Sequence, residues 1–570
     1  MSHLRWAARF HRVGLRPGTG LQARFAVLIG AVIVLTGCGS AVPGTASPVR
    51  TAVGAPTSPV RTAVGAPPTS GTAPADIGPV PKGLQAYYQQ RLSWQSCADY
   101  AQTDTDKQTY ATPGLQCARL KVPVSYGRPG SGDATIGVLK APTTGEASAR
   151  IGSVVFNPGG PGGSGMSTVG QFAAYGLGAD LREHFDLIGF DPRGVGASRP
   201  VISCRTGAEF DADRKADVQP RTPADVAKIN DMAERSAHDC TQRTGRPERI
   251  DGATFLGSIG SRDVARDMDV LRAVLGDRKL SYVGYSAGTR LGTSYAEQFP
   301  GNVRAMILDG AIDPNSDDIT QIVGQGKGFQ DAFVEFAKWC AGRPDCALGS
   351  DPANAPPVFQ RLVRPLLDKP LPLPDGRVLS YDDATTGVVQ ALYSDSYRDT
   401  LAKGLTELAK GSGTTLMQLA DSYYDRDASG HYSNLIDAFT AIGCMDNTRQ
   451  DPAKTAEVNA RYLKAAPFLD PGFVPLPTKS VCDFWPSPPT MTPHSPKVPG
   501  LAKVLVISTL GDPATPYRAG VELAKDLGGA LLTVAGSRHT AYLGAAIACA
   551  DTAGTAYLVE LTAPAEGAKC

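Results

Sequence analysis

The sequence predicts an α/β fold in which a mostly parallel sheet is flanked by helices and a large helical insertion precedes the last strands. Three observations carry that reading. Between residues 150 and 310, short apolar runs rich in β-branched residues alternate with helical patterns, an order that builds βαβ units and therefore parallel strand pairing. One of these runs, Leu280 to Tyr285, passes straight into Gly284-Tyr285-Ser286-Ala287-Gly288 and then a helix, the pattern of a side chain held on a tight strand-to-helix turn. From residue 316 to residue 495 helical patterns dominate, and strand-like runs return only at Lys503 to Thr509 and Ala530 to Val534.

The chain has 570 residues, with 56 basic and 55 acidic side chains. That balance, without a long basic run, gives no electrostatic footprint for a nucleic-acid partner. Arg5, Arg9, Arg12, Arg16 and Arg24 precede the apolar run Phe25 to Leu35, which is too short for a stable membrane span and suits the core of a signal peptide. It ends in Leu35-Thr36-Gly37-Cys38, which resembles a bacterial lipobox. The resemblance implies removal of residues 1–37 and a diacylglycerol on the Cys38 sulfur; a plain signal peptide or an uncleaved anchor is the alternative. On each of these readings the remainder is exported, and on the first it is lipid-anchored at the cell membrane. Residues 38–83 are rich in Pro, Ala and Thr, and the segment Ser47 to Pro56 recurs verbatim from Ser58 to Pro67. Such a stretch cannot bury a core and is expected to be an extended tether.

Besides Cys38 the chain holds Cys97, Cys117, Cys204, Cys240, Cys340, Cys346, Cys444, Cys482, Cys549 and Cys570. An even number in an exported chain implies disulfides, and pairing of sequence neighbours in order is the expectation. With no Cys-x-x-Cys and no clustered His, neither a zinc site nor any other metal or organic cofactor is expected.

Folded sequence is expected from about Leu84, and residues 84–315 form the first part of the core. Leu120 to Tyr126 and Thr135 to Lys140 read as a hairpin across Gly127-Arg128-Pro129-Gly130. The run Ser153 to Asn157 opens into Pro158-Gly159-Gly160-Pro161-Gly162-Gly163-Ser164-Gly165, too Gly-rich to pack as a core element. Its bare backbone N–H groups lie upstream of the Ser286 turn, where a hydrolase places its second oxyanion donor, and Gly159 or Gly160 is expected to supply it. Phe185 to Phe190 is another buried strand; Asp191 and Arg193 behind it are expected to brace the loop. Ser261 to Gly276 reads as an amphipathic helix with Ser261 as its N-cap and Gly276 as its stop.

At the central turn, Gly284 and Gly288 are required because a side chain two residues either side of Ser286 would strike neighbouring backbone. Ser286 is then presented at the carboxyl end of the sheet, with the N–H of Ala287 as first oxyanion donor. Residues 316–495 form a helical insertion over that end, expected to act as a lid, and residues 496–570 complete the core. Asp512 follows one returning strand and His539 follows the next. Ser, Asp, His is the chain order of the α/β-hydrolase triad, so Ser286, Asp512 and His539 are the expected catalytic residues. His184, His238, His431 and His494 lie before a strand, in a helix or in the insertion, and Asp446 and Asp483 also fall in the insertion; none follows a core strand as His539 and Asp512 do.

Taken as an ordered set, Asn157 to Gly165, Phe185 to Gly194, Gly284 to Thr289, Asp309-Gly-Ala-Ile-Asp-Pro314, Cys482-Asp-Phe-Trp-Pro486, Asp512-Pro-Ala-Thr-Pro516 and Cys570 resemble the exported tripeptidyl aminopeptidase and proline iminopeptidase-like serine peptidases of actinobacteria, the mycobacterial cell-envelope branch above all. The likeness spans roughly Ser93 to Cys570. It implies an envelope serine hydrolase acting on peptide or protein substrates through an acyl-enzyme; a carboxylesterase or lipase acting on esters is the alternative, and a non-catalytic lipoprotein the remote one. Two positions depart from the pattern. Ala287 replaces the Tyr more usual after the nucleophile, and Gly163 stands where some relatives have Glu, so the changes bear on peptide preference and spare the catalytic set.

Overall fold

A computed structural model describes residues 77–449 and 451–570; the leader, Cys38 and the repeated tether segment lie outside the described residues. Ile77 and Val80 already pack against the core ahead of Leu84. The strands are β1 (Gln116–Pro123), β2 (Asp133–Ala141), β3 (Gly152–Asn157), β4 (Phe185–Phe190), β5 (Leu280–Tyr285), β6 (Val303–Asp309), β7 (Leu371–Pro372), β8 (Val378–Leu379), β9 (Leu505–Thr509) and β10 (Ala530–Val534). Eight of them form one sheet in the order β1-β2-β4-β3-β5-β6-β9-β10, while β7 and β8 pair separately inside the insertion. β1 with β2 and β2 with β4 are antiparallel; the remaining neighbours in the large sheet are parallel.

The sheet is buried on both faces, which is why its strands read as continuous apolar runs. Val155, Ile188, Tyr282, Met306, Leu308 and Val506 enter one hydrophobic cluster, and their chain neighbours Val154, Leu187, Val283, Ile307, Leu505 and Ile507 enter another on the opposite face. β5 is central, paired with β3 on one side and β6 on the other, so the residue that follows it leaves from the middle of the sheet.

The insertion leaves after β6 and returns at β9. Most of it packs in a third cluster, joined by Ala514 of the returning core, in which the rings of Phe333 and Phe468 stack at 4.6 Å. No helix among the described residues is long and apolar enough to cross a membrane. Disulfides join Cys97 to Cys117, Cys204 to Cys240, Cys340 to Cys346, Cys444 to Cys482 and Cys549 to Cys570.

One local expectation is corrected. The helix Ser261–Val274 is preceded by Gly260 as N-cap, because Asp446 of the insertion accepts hydrogen bonds from Ser261 N at 2.8 Å and Ser261 Oγ at 2.5 Å. A carboxylate from a distant segment satisfies the helix start, and Ser261 becomes its first residue.

Asp191 and Arg193 brace the loop behind β4. Asp191 accepts from Ser164 Oγ at 2.5 Å and from the N–H of Ala197 at 2.7 Å. Arg193 is fully buried and donates to Asp267 and to the carbonyls of Pro123, Val124 and Ser258. Removing the guanidinium takes the counter-charge from the buried Asp267, which keeps, among the described residues, only the Tyr126 hydroxyl at 2.8 Å, and takes this donor from three carbonyls, so Arg193→Met is expected to lower the unfolding free energy by about 3–5 kcal/mol. Urea unfolding measures it; a loss below about 1 kcal/mol would contradict the packing described.

Candidate active site

Ser286 stands between β5 and the helix Ala287–Gln298 with φ 53 and ψ −122, a region that non-glycine residues enter only when their surroundings force them. The surroundings are tight. A Cβ on Gly284 would lie 2.4 Å from the carbonyl oxygen of Gly288, and one on Gly288 would lie 2.7 Å from that of Asn157. Ser286 N donates to the Asp309 carbonyl at 2.9 Å, and Tyr282 Oη donates to the Gly288 carbonyl at 2.8 Å, so both ends of the turn are tied down.

The N–H of Ala287 opens the helix, where intrahelical acceptors are lacking, and it has no protein acceptor among the described residues. Gly159 lies against it: a Cβ there would come within 2.8 Å of Ala287 N and 2.3 Å of the Tyr285 carbonyl oxygen, at φ 87. The two glycines expected as alternative donors are now distinguished. Gly159 N donates to Asn157 Oδ1 at 3.0 Å, whereas the N–H of the exposed Gly160 has no protein acceptor among the described residues. Asn157 closes a local turn with its own side chain, so the Gly159 N–H already has an acceptor while that of Gly160 has none among the described residues.

Asp512 and His539 meet at the ends of β9 and β10. His539 Nδ1 lies 2.9 Å from each carboxylate oxygen of Asp512. Asp512 also accepts from the N–H groups of Ala514 and Thr515 at 2.9 Å and from Thr515 Oγ1 at 3.0 Å, a donor set that suits an ionised carboxylate. Both residues are buried. The other ring nitrogen, His539 Nε2, is buried and has no hydrogen-bond partner among the described residues.

Ser286 and His539 are connected through Asp309, the last residue of β6, a position sequence reasoning left without a role. Its carbonyl accepts from Ser286 N, while its Oδ2 accepts from Ala541 N at 2.8 Å and Tyr542 N at 2.7 Å. A Cβ on the following Gly310 would lie 3.0 Å from His539 Cε1. Its traces in the sequence are an acidic residue ending a buried strand and its place at the head of the Asp309 to Pro314 motif. His238, His431 and His494 instead lie beside Asp239, Asp427 and Glu297, and Asp446 and Asp483 serve helix starts.

The insertion reaches each part of this region. Its helix Asp318–Ala341 packs at Gly328 so closely that a Cβ would be 2.4 Å from the Pro513 carbonyl oxygen, beside Asp512. The backbone and side chains of Leu435 to Phe439 press on Gly162 within 3.0 Å of a Cβ position. The Tyr393 carbonyl accepts from His539 N at 2.8 Å, and the rings of Tyr393 and His539 meet edge-on at 5.6 Å.

Comparison with known proteins places these features in context. The alpha/beta hydrolase fold family matches residues 152–546. Serine protease Hip1 of Mycobacterium tuberculosis is 43% identical over 494 residues, 84% of this chain and 91% of that protein. Carboxylesterase B of the same species is also 43% identical, over 481 residues, 84% of this chain and 89% of that protein. Tripeptidyl aminopeptidase of Streptomyces coelicolor is 31% identical over 453 residues, 77% of this chain and 78% of that protein.

Two outcomes follow from the geometry. A methyl at Gly159 collides with backbone on both sides of Ser286, so Gly159→Ala is expected to displace the turn and lower kcat by about 10²-fold; wild-type turnover would contradict the close approach. Burial lifts the Asp309 carboxyl to about 7, against the opposing effect of its two backbone donors. A carboxyl raised in the folded state stabilises fully below its unfolded value near ~3.9 and loses that contribution as pH rises through about 7. Asp309→Asn is therefore expected to flatten the decline of stability across that window, measured by denaturant unfolding at a series of pH values; an unchanged slope would contradict it.

Proposed function

We propose that this chain, which belongs to the alpha/beta hydrolase fold family and is a serine hydrolase, works as an exported peptidase that cleaves short peptides from a free amino end. The observation that carries the site assignment is the asymmetry of His539: Nδ1 is held by Asp512 while Nε2 is buried with no partner among the described residues. A neutral imidazole anchored in that way carries its proton on Nδ1 and offers Nε2 as the base. His539 then takes the proton of Ser286 Oγ as Ser286 attacks the acyl carbon, and the imidazolium is stabilised by Asp512. The oxyanion is received by the N–H groups of Ala287 and Gly160. His539 passes its proton to the leaving amine, water attacks the acyl-enzyme by the same base, and Ser286 is released.

The peptide reading is supported by the relatives named as a serine protease and a tripeptidyl aminopeptidase. A second reading, hydrolysis of carboxylic esters, is supported by the equal identity to a protein named as a carboxylesterase. We place the enzyme at the cell envelope, held to the membrane by lipid on Cys38, with the Pro- and Ala-rich stretch behind it as a spacer. The basic leader, the Leu35-Thr36-Gly37-Cys38 motif and the even cysteine set support that placement.

The test of activity is hydrolysis of free-amine tripeptide amides, their amino-blocked counterparts and short-chain esters. Turnover of the free-amine peptides with weak turnover of the blocked ones is expected, and Ser286→Ala should cost on the order of 10⁶-fold in kcat. Turnover of esters alone would move the function to esterase; full activity in Ser286→Ala would overturn the site. For the anchor, Cys38→Ala should move the chain from the membrane to the soluble fraction, and an unchanged distribution would contradict lipidation there.

A further inference from the structure

The loop that carries His539 is held in an unusual way. Between β10 and the C-terminal helix Ala548–Glu560, Thr540, Leu543 and Ala546 all adopt positive φ, at 65, 58 and 53. Three side-chain-bearing residues in that region within one loop require external ties. The core supplies some: Asp309 Oδ2 accepts from Ala541 N and Tyr542 N, and Asp551 Oδ1 accepts from Leu543 N at 2.6 Å. The others come from the insertion, more than 140 residues earlier in the chain. Ser394 and Arg538 form an antiparallel bridge, His539 N donates to the Tyr393 carbonyl at 2.8 Å, and Arg538 Nη2 contacts Asp395 Oδ1 at 3.1 Å and Oδ2 at 3.3 Å. Arg538 Nη1 also donates to the Ala545 carbonyl at 3.1 Å, so one guanidinium spans the loop and fastens it to the insertion.

We propose that the segment Tyr393–Asp395 is a positioning element for His539, with Asp395 and Arg538 as a pair of positioning residues, which makes the insertion part of the reaction centre as well as its cover. The proposal rests on the reading of His539 as general base. Its physical content is simple. The Asp512 contact fixes the imidazole from the Nδ1 side, but where Nε2 points also depends on the backbone that carries the ring, and on its lid side that backbone is held by Tyr393 O and by the Arg538–Asp395 pair beside it. The Tyr393 ring, itself packed edge-on against Phe329 of the helix Asp318–Ala341 at 5.2 Å, meets the imidazole from the same side. Side-chain exposures of 22% for Arg538 and 29% for Asp395 leave the pair partly shielded, so its loss is not fully made good by water. Small misplacements of a proton-transfer group are costly to rate and cheap to stability.

The test is steady-state kinetics of the full chain on a chromogenic short-chain ester, chosen because its small size keeps it clear of the lid. Asp395→Asn and Arg538→Gln are each expected to lower kcat by about tenfold with little change in KM and in thermal midpoint. The double variant should be no worse than Arg538→Gln alone, and the exchange Asp395→Arg with Arg538→Asp, which restores the ion pair but not the bond to the Ala545 carbonyl, should recover part of the activity. The downfield proton resonance of the His539–Asp512 pair should shift in the single variants and move back towards its original position in the exchange. If Asp395→Asn does not fold, Arg538→Lys carries the same test, with a partial loss of kcat expected. Wild-type kcat in the folded variants, a loss confined to KM, or additive losses in the double variant would overturn the proposal. His539→Ala separates the two levels: activity there would defeat the general-base reading itself, whereas an inactive His539→Ala beside a fully active Asp395→Asn defeats only the positioning role.

Discussion

The turn at Ser286 holds a side-chain-bearing residue at φ 53 and ψ −122, and much of the surrounding structure keeps it there. That conformation costs on the order of 1–3 kcal/mol, which the chain offsets by clamping both flanks. β5 is paired on both sides, Ser286 N is bonded to the end of β6, and the Gly159 backbone fills the space beside Ala287. The consequence is chemical. A strained turn at the carboxyl edge of a parallel sheet leaves a hydroxyl and an unspent N–H side by side at a helix N-terminus, where negative charge is favoured.

The end of β6 links that turn to the His539 loop. Asp309 offers its carbonyl to Ser286 and its carboxylate to the N–H groups of Ala541 and Tyr542, so two segments separated by more than 230 residues share one fastening point. The insertion adds contacts at the Asp512 loop through Gly328, at the glycine loop through Leu435 to Phe439, and at His539 through Tyr393. An insertion built this way does not float above the site. Most of its helices share a third apolar cluster, yet Ala438, Ile442 and Met445 pack into the cluster on the sheet, Asp446 seats the start of the core helix Ser261–Val274, and Cys444–Cys482 closes the far part of the insertion on itself.

How much was legible in the sequence follows from the range of the interactions involved. β3, β4, β5, β6, β9 and β10 were readable because burial on both faces leaves unbroken apolar runs such as Val154-Val155-Phe156. Gly284 and Gly288 were readable because the turn excludes a Cβ on steric grounds that depend only on local geometry. The sequence points to a cap at Ser261, but the acceptor that satisfies the helix start comes from Asp446, 185 residues away. The claim of Asn157 Oδ1 on the Gly159 amide is invisible because Asn157-Pro158-Gly159 reads simply as the end of a strand opening into a loop. Asp309 and the Arg538–Asp395 pair gave no periodicity or spacing signal at all: each acts through tertiary contacts between segments whose adjacency only the sheet order and the lid connection create.

The central claim is that Ser286 is an activated nucleophile whose reactivity depends on His539. Covalent labelling with a fluorophosphonate, followed by mass spectrometric mapping and rate measurement, tests it most directly. The account predicts a single label on Ser286, no label in Ser286→Ala, and labelling slowed by about 10²–10⁴-fold in His539→Ala. Label on another residue, or labelling of Ser286 at an undiminished rate without His539, would contradict it.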